Sequence, residues 1–231
     1  MLSIVATPIG NLGDITLRAL EALKAADFIA CEDTRETVKI LVHYGIPEKQ
    51  LLSYHEHSPT IRVHEILALV RQGKNVAVVT DGGMPSISDP GFTLVREAIR
   101  EKTAFEVLPG ASAVTTALVA SGLAVDEFSF LGFLPNKSAS RKKQLAEFVD
   151  REETLIFFES PFRLPSTLRD MLEVFGDREA AVARELTKKF EEILRGNLSE
   201  LVREATKQPR KGEMVILVSG KGRKRIFGTR D

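Results

Sequence analysis

Asn75-Val76-Ala77-Val78-Val79 is followed without a break by Thr80-Asp81-Gly82-Gly83-Met84-Pro85-Ser86-Ile87-Ser88-Asp89-Pro90-Gly91. The first segment is apolar and rich in β-branched residues, which is typical of a strand. The second cannot continue that strand, because its glycines permit positive φ and its prolines stiffen the backbone. A strand-to-helix turn usually needs ~2–6 residues, and this loop is about twice as long. The stretch therefore predicts a binding loop at the carboxyl end of a strand.

The same alternation extends along the first half of the chain. Short apolar segments such as Ser3–Ala6 and Phe105–Leu108 alternate with longer helical patterns. This spacing predicts βαβ units in a mostly parallel sheet with helices on both faces. Ligands of such sheets bind at the carboxyl ends of the strands. Because the Gly- and Pro-rich loops at 7–13, 81–91 and 109–113 all follow strands, we expect one site to gather them.

A second unit begins near Phe128. Its strand patterns lie at Thr154–Phe158, Glu179–Ala183 and Glu213–Val218. A further strand is possible at Phe190–Arg195, where we expect Gly196 to break it. A hairpin among these strands indicates a mixed sheet.

The predicted fold class is therefore α/β, with two α/β domains. The first, residues 1–122, contains the mostly parallel sheet, and the second, residues 123–231, contains the mixed sheet and a basic tail at 221–231. We expect the domains to face each other across a cleft.

Composition limits the classes of function. No run of ~18 apolar residues occurs, and the amino terminus reads as a strand, so we expect a cytoplasmic protein that enters no membrane. The single cysteine, Cys31, excludes an internal disulfide framework and a cysteine metal site. Residues 1–135 contain 11 Lys and Arg against 16 Asp and Glu, whereas residues 136–231 contain 21 against 16. Basic clusters such as Arg141-Lys142-Lys143 attract phosphate backbones, although ordinary solvated helix faces explain them equally well.

Several catalytic motifs are absent from the sequence. It has no phosphate-binding P-loop, no dinucleotide fingerprint and no Gly-x-Ser-x-Gly motif. The one candidate metal cluster combines histidines and glutamates without the spacing of a zinc helix, so no metal is expected; its members are His55, Glu56, His57, His64 and Glu65.

Charged residues follow three of the strands. Glu32-Asp33-Thr34-Arg35 contains more charge than helix capping requires. Glu159-Ser160-Pro161-Phe162-Arg163 and Arg184-Glu185-Leu186-Thr187-Lys188 repeat this arrangement in the second half. If the three strand ends converge, they form a polar substrate site.

These loops resemble one known family. The chain is similar, in order and over nearly its whole length, to bacterial small-subunit ribosomal RNA 2′-O-ribose methyltransferases of the tetrapyrrole methylase superfamily. The resemblance rests on the segments above and on 7–16, Leu108-Pro109-Gly110, Gly132-Phe133-Leu134-Pro135 and Lys211-Gly212-Glu213-Met214-Val215.

The resemblance implies S-adenosylmethionine as methyl donor, bound in a cleft of a homodimeric enzyme. It implies that the partner is 16S rRNA in the small ribosomal subunit and that the target is the 2′-hydroxyl of a cytidine in the decoding region. By motif position, the implied donor contacts in the first three loops are Pro8, Ile9, Gly10, Asp81, Met84, Pro85, Ile87, Ser112 and Ala113. Those implied further along the chain are Phe158, Ala183, Leu186, Glu213 and Met214.

Two departures from the family pattern stand out. Gly83 and Met84 occupy positions where relatives often have Ala and Thr. Many relatives also continue past the last strand into a small helical region, whereas this sequence ends after residues 221–231. If that region helps to hold RNA, we expect that the basic tail substitutes for it or that the affinity comes from elsewhere.

A ribose hydroxyl is a poor nucleophile, so a base must accept its proton or a cation must stabilise the developing alkoxide. We assign the base role to Glu32 or Asp81. The cations Arg35, Arg184 and Lys188 are expected to orient phosphate or to lower the pKa of the hydroxyl. Arg163 is expected to be a further RNA contact. Two alternatives stay open. One is methylation of a tetrapyrrole or another small molecule, and the other is a non-catalytic ribosome assembly or RNA-binding module.

Overall fold

The structure, a computed structural model, describes residues 1–55, 60–208 and 210–222. The chain divides into two compact units, Met1–Ser112 and a second that begins at Ala113. Among the described helices, none combines the length and the apolar character that a membrane span requires.

The first unit is built on a five-stranded parallel sheet. The strand order is β3-β2-β4-β1-β5, and every neighbouring pair is parallel, so the expected mostly parallel sheet is confirmed. Its strands are β1 (Leu2–Val5), β2 (Phe28–Cys31), β3 (Gln50–Ser53), β4 (Val76–Val79) and β5 (Phe105–Leu108). Its helices are α1 (Leu17–Ala25), α2 (Thr34–His43), α3 (Thr60–Arg71) and α4 (Phe92–Arg100).

Successive side chains of this sheet point to opposite faces and enter two separate cores. Val5 of β1 belongs to the same core as Leu23 of α1. Ile4, its neighbour, belongs instead to the core formed with Ile66 of α3 and Leu94 of α4. Helices therefore cover both faces, as expected for a parallel sheet whose strands are buried.

The second unit is built on a mixed five-stranded sheet, as the sequence predicts. The order is β6-β7-β10-β8-β9, in which β6 and β7 are parallel and the other neighbours are antiparallel. Its strands are β6 (Phe128–Phe133), β7 (Thr154–Glu159), β8 (Glu179–Arg184), β9 (Glu192–Asn197) and β10 (Met214–Val218). Its helices are α5 (Ala113–Ser121), α6 (Ser138–Ala146), α7 (Leu164–Phe175) and α8 (Leu198–Lys207).

The division between the units differs from the boundary expected after residue 122. It lies between Ser112 and Ala113, because α5 packs against β8, β9 and β10. The buried residues of α5 include Val114, Ala117 and Leu118, which contribute its apolar face. Of the expected basic tail at 221–231, residues 223–231 lie outside the described part of the chain.

The strand break expected at Gly196 does not occur. Gly196 lies within β9 and stays paired with Ala180 of β8. Its φ is +156°, and a Cβ at this position would lie 2.5 Å from Oε2 of Glu200. The positive φ favours glycine at this position, and the strand continues through it.

Arg141 belongs to the interior, although the sequence places it in a solvated or phosphate-binding cluster. Its guanidinium forms an ion pair with Asp170 of α7, with Nη2 2.6 Å from Oδ2. Its Nη1 donates to the carbonyl oxygens of Pro135 and Asn136 at 3.3 and 3.2 Å. Arg141 therefore joins α6, α7 and the segment after β6, and is not available to bind phosphate.

Candidate active site

The loops after β1 and β4 are joined by main-chain hydrogen bonds at the carboxyl edge of the first sheet. Thr7 N donates to Gly83 O at 3.0 Å, and Gly83 N donates to Thr7 O at 2.9 Å. The Thr7 hydroxyl also donates to Thr80 O at 3.0 Å. The structure thus brings together the first two loops that the sequence nominates.

Two glycines allow the close approach of these loops. A Cβ at Gly82 would lie 3.2 Å from Pro8 O and 3.4 Å from Ile9 Cα. A Cβ at Gly110, in the loop after β5, would lie only 2.7 Å from Ala6 Cβ. A side chain at either position would force its neighbours to move, so backbone proximity explains both glycines. The third nominated loop therefore also lies beside the first.

The loop after β4 is held in an unusual conformation. Ser86 and Ser88 have φ of +77° and +61°, a region that residues other than glycine rarely occupy. The hydroxyl oxygens of Thr80 and Ser86 are buried and have no hydrogen-bond partner within the described residues. Strain and unsatisfied polar atoms concentrate at functional sites. Sequence reasoning missed both hydroxyls, and only the Ser-rich composition of the loop pointed to them.

Two neighbouring carboxyl groups at this edge have opposite electrostatic surroundings. Asp33 caps α2 and binds the Arg35 guanidinium, and these hydrogen bonds lower the pKa of Asp33 to about 2. Asp81 Oδ1 accepts from Asp33 N at 3.0 Å. Partial burial, with the negative charge of Asp33 adding to it, raises the pKa of Asp81 above its ordinary value. Glu32 precedes Asp33 in the chain, directly after β2.

The donor candidates of the second unit meet at one edge of its sheet. Val215 is paired with Phe158 of β7 on one side and with Ala183 of β8 on the other. Because β10 runs antiparallel to both, its first residue, Met214, lies beside the last residues of β7 and β8. Leu186, just beyond β8, is buried.

Lys188 is held at the same edge by two carboxylates. Its Nζ lies 3.0 Å from Glu213 Oε2 and 3.3 Å from Glu185 Oε1. Burial opposes its positive charge, but these ion pairs raise the pKa of Lys188 above the ordinary lysine value. Glu185 also accepts from Glu213 N at 3.1 Å, and Arg184 Nε donates to Lys211 O at 2.6 Å. The loop after β8 and the loop before β10 are therefore fastened together.

Arg163 is fastened in a similar way to the end of β7. Its Nε lies 3.0 Å from Oε1 of Glu159, a carboxylate whose side chain is only 1% exposed. Its Nη2 donates to Leu134 O at 2.7 Å. Thr167 Oγ1 also donates to Glu159 at 2.5 Å. Sequence reasoning missed this anchoring role of Glu159, because Thr167 and Leu134 come from other elements.

The histidine cluster considered from the sequence lies partly outside the described residues. Glu56 and His57 lie outside the described residues. His64 instead lies near Glu97 and Glu101, with ligand atoms within 4.8 Å of one another. Both carboxylates already pair with arginines, Arg100 and Arg71, which disfavours a cation there.

Comparison with known proteins places this geometry in a family. The model of the tetrapyrrole (corrin/porphyrin) methylases matches residues 1–202. The chain belongs to that family. The resemblance to tetrapyrrole methylases drawn from the motifs is thereby confirmed.

Relatives of high identity extend the comparison over nearly the whole chain. A protein of Halalkalibacterium halodurans is 49% identical over 96% of this chain and 77% of its own length. One of Thermotoga maritima is 48% identical over 95% of this chain and 98% of its own. Each is named ribosomal RNA small subunit methyltransferase I.

Solved structures of low sequence identity share the fold. The methyltransferase CobJ has a TM-score of 0.71 at 19% identity, covering 98% of this chain and 96% of its own. The cobalt precorrin-4 methyltransferase CbiF has a TM-score of 0.69 at 21% identity, covering 94% of each chain. At such identities the likeness shows the tetrapyrrole methylase fold and nothing finer.

Proposed function

We propose that this protein transfers the methyl group of S-adenosylmethionine to the 2′-hydroxyl of a cytidine in the decoding region of 16S rRNA. The observation that carries the proposal is 48–49% identity over almost the whole chain to proteins named ribosomal RNA small subunit methyltransferase I. Methylation of small-subunit ribosomal RNA follows from those names, whereas the cytidine and its 2′-hydroxyl follow from the motif resemblance. The enzyme would act on the small subunit, as a cytoplasmic homodimer.

The loops of the first unit have the chemistry to hold the donor. The buried hydroxyls of Thr80 and Ser86 have no hydrogen-bond partner within residues 1–55, 60–208 and 210–222, and a bound polar group would supply one. Gly82 and Gly110 let the three loops approach one another closely, which gathers them around one place.

The two assigned chemical roles suit different residues. A sulfonium donor supplies an already activated methyl group, so positioning of the ribose and removal of its proton remain for the protein. Asp81 is a better proton acceptor than its neighbour Asp33, because the pKa of Asp81 is raised while the pKa of Asp33 is about 2. Lys188 stays protonated because its pKa is raised, so it suits stabilisation of a developing alkoxide and not the base role. Glu32 remains the second candidate base.

The decisive experiment is single-turnover methylation of unmodified small ribosomal subunits with labelled S-adenosylmethionine, followed by mapping of the label. Asp81→Asn keeps the oxygen that accepts from Asp33 N and removes only the basicity. It should lower the rate by roughly 10²–10⁴-fold. Glu32→Gln and Lys188→Gln complete the series. If all three variants keep the wild-type rate, the assignment of roles is wrong.

The same assay separates the alternative functions. Label on porphyrins or free nucleosides in place of ribosomal RNA would identify a small-molecule methyltransferase. Calorimetric titration with S-adenosylmethionine tests the non-catalytic alternative, since a binding module that has lost the chemistry would show no heat of binding.

A further inference from the structure

A groove of about 380 Å³ lies on the second unit, near the edge where Phe158 and Met214 meet. It is formed by the start of α7, the end of α8 and the loop before β10. Its lining includes Phe162, Pro165, Arg169, Thr206, Arg210 and Lys211. None of the functions assigned above uses this groove.

Phe162 is the most unusual member of the lining. Its side chain is 92% exposed, more than any other large apolar side chain in the described part of the chain. The turn that carries it is rigid, because Pro161 precedes it and Arg163, which follows, is anchored to Glu159 and Leu134. A ring presented on a rigid turn loses little conformational entropy when a partner binds.

The charge of the groove comes from two of its three cations. Arg210 is neutralised by Glu192, with distances of 2.8 and 3.3 Å, and serves to hold the loop. Arg169 and Lys211 are exposed, and neither forms an ion pair with any residue that the structure describes. The groove therefore combines an exposed aromatic ring with two available positive charges.

We propose that this groove binds a nucleotide of single-stranded RNA next to the methylated position, with Phe162 stacked on the base and Arg169 and Lys211 contacting the phosphates. The inference rests on the proposed function, since it assigns a second contact to the same RNA substrate. Aromatic rings beside cations are the combination with which proteins hold single strands. The groove also adjoins the proposed RNA edge, because Lys211 O accepts from Arg184 Nε at 2.6 Å.

The first test measures the equilibrium binding of a fluorescently labelled single-stranded RNA oligonucleotide by fluorescence anisotropy. Phe162→Ala should raise Kd roughly 10-fold, because it removes one base-stacking contact, whereas Phe162→Tyr should keep the wild-type Kd. Phe128→Ala is the matched control, since Phe128 is 43% exposed and lies at the start of β6, away from the groove. An equal Kd for wild type and Phe162→Ala would overturn the proposal.

The salt dependence of Kd tests the charges separately. Removal of two phosphate contacts from a single strand should reduce the slope of log Kd against log salt by about 1.4. We expect this change for Arg169→Gln combined with Lys211→Gln, and no change of slope for Phe162→Ala. Arg203→Gln, an exposed position on α8 outside the groove lining, is the control for loss of a surface charge. A double variant with the wild-type slope would contradict the assigned phosphate contacts.

Methylation of small ribosomal subunits distinguishes failure of this inference from failure of the proposed function. If the wild type does not methylate ribosomal RNA, the proposed function is wrong. If the wild type is active and Phe162→Ala shows the same KM and kcat, only the groove assignment is wrong. We expect a higher KM for Phe162→Ala with kcat retained and donor affinity unchanged. A shift of the sedimentation coefficient at unchanged RNA affinity would instead make Phe162 a contact between copies of the chain, and would overturn the proposal.

Discussion

The ion pair between Arg141 and Asp170 makes a quantitative prediction about the second unit. The side chains are 3% and 9% exposed, and the charged atoms lie 2.6 Å apart. In Asp170→Ala the guanidinium would keep only the carbonyl oxygens of Pro135 and Asn136, and Ser138 Oγ would lose its acceptor at 3.0 Å. Removal of one partner of a buried pair costs about 3–5 kcal/mol, because the other charge is left uncompensated. We expect Asp170→Ala to lower the free energy of unfolding by about that amount.

A matched exposed pair provides the control. Lys142 and Glu173 join the same two helices at 2.6 Å, but their side chains are 33% and 65% exposed. Exposed pairs contribute about 0–1 kcal/mol, so Glu173→Ala should have a small effect. Urea unfolding followed by circular dichroism measures both variants, with the m-value checked for each. The reasoning would be refuted if Asp170→Ala cost no more than Glu173→Ala.

A double-mutant cycle then isolates the interaction itself. Arg141→Met combined with Asp170→Ala leaves no stranded charge, so the double variant should be less destabilised than the sum of the single variants. Because Arg141 also binds two carbonyl oxygens of the segment after β6, hydrogen exchange at residues 135–138 should accelerate in Asp170→Ala. Additive single effects would show that the pair does not act as a unit.

Three further predictions concern the first unit. Burial and the nearby charge of Asp33 raise the pKa of Asp81. If Asp81 is the base, the single-turnover rate should rise with pH through that pKa and become flat above it, and Asp81→Asn should abolish the rise. Gly110→Ala would place a Cβ 2.7 Å from Ala6 Cβ, so the free energy of unfolding measured in urea should fall by about 1–3 kcal/mol. An unchanged unfolding midpoint would mean that the two loops can move apart at no cost. The side chain of Cys31 is fully buried, and this burial raises the pKa of its thiol. A thiol reagent at pH 8 should therefore react slowly with the native protein and rapidly with the protein unfolded in urea, and a fast reaction of the native protein would contradict this.

The parallel sheet and its loops could be predicted because local signals and the global fold agree. Val76–Val79 is apolar throughout, as expected for a strand buried on both faces, and the Gly- and Pro-rich sequence after it cannot extend the strand. Once strands and helices alternate, the carboxyl ends of the parallel strands must share one edge. The contact between Thr7 and Gly83 follows from this arrangement, although its hydrogen bonds could not be read from the sequence.

The errors arose where a distant partner decides the outcome. Gly196 looks like a strand breaker, but pairing with Ala180 and the close carboxylate of Glu200 keep it within β9. Arg141 looks like a surface cation until Asp170 neutralises it.

Partners that are distant in sequence also determine which cations are available to attract RNA. The four cations nominated from the sequence are all engaged by carboxylates, so a phosphate that reaches them must compete with a charge already in place. They are Arg35, Arg163, Arg184 and Lys188. Exchange of one anion for another yields little net attraction, and these residues are better suited to fixing the geometry of the bound strand. Arg169 and Lys211 need no such exchange, so the groove beside Phe162 should contribute to the attraction for RNA and to its salt dependence.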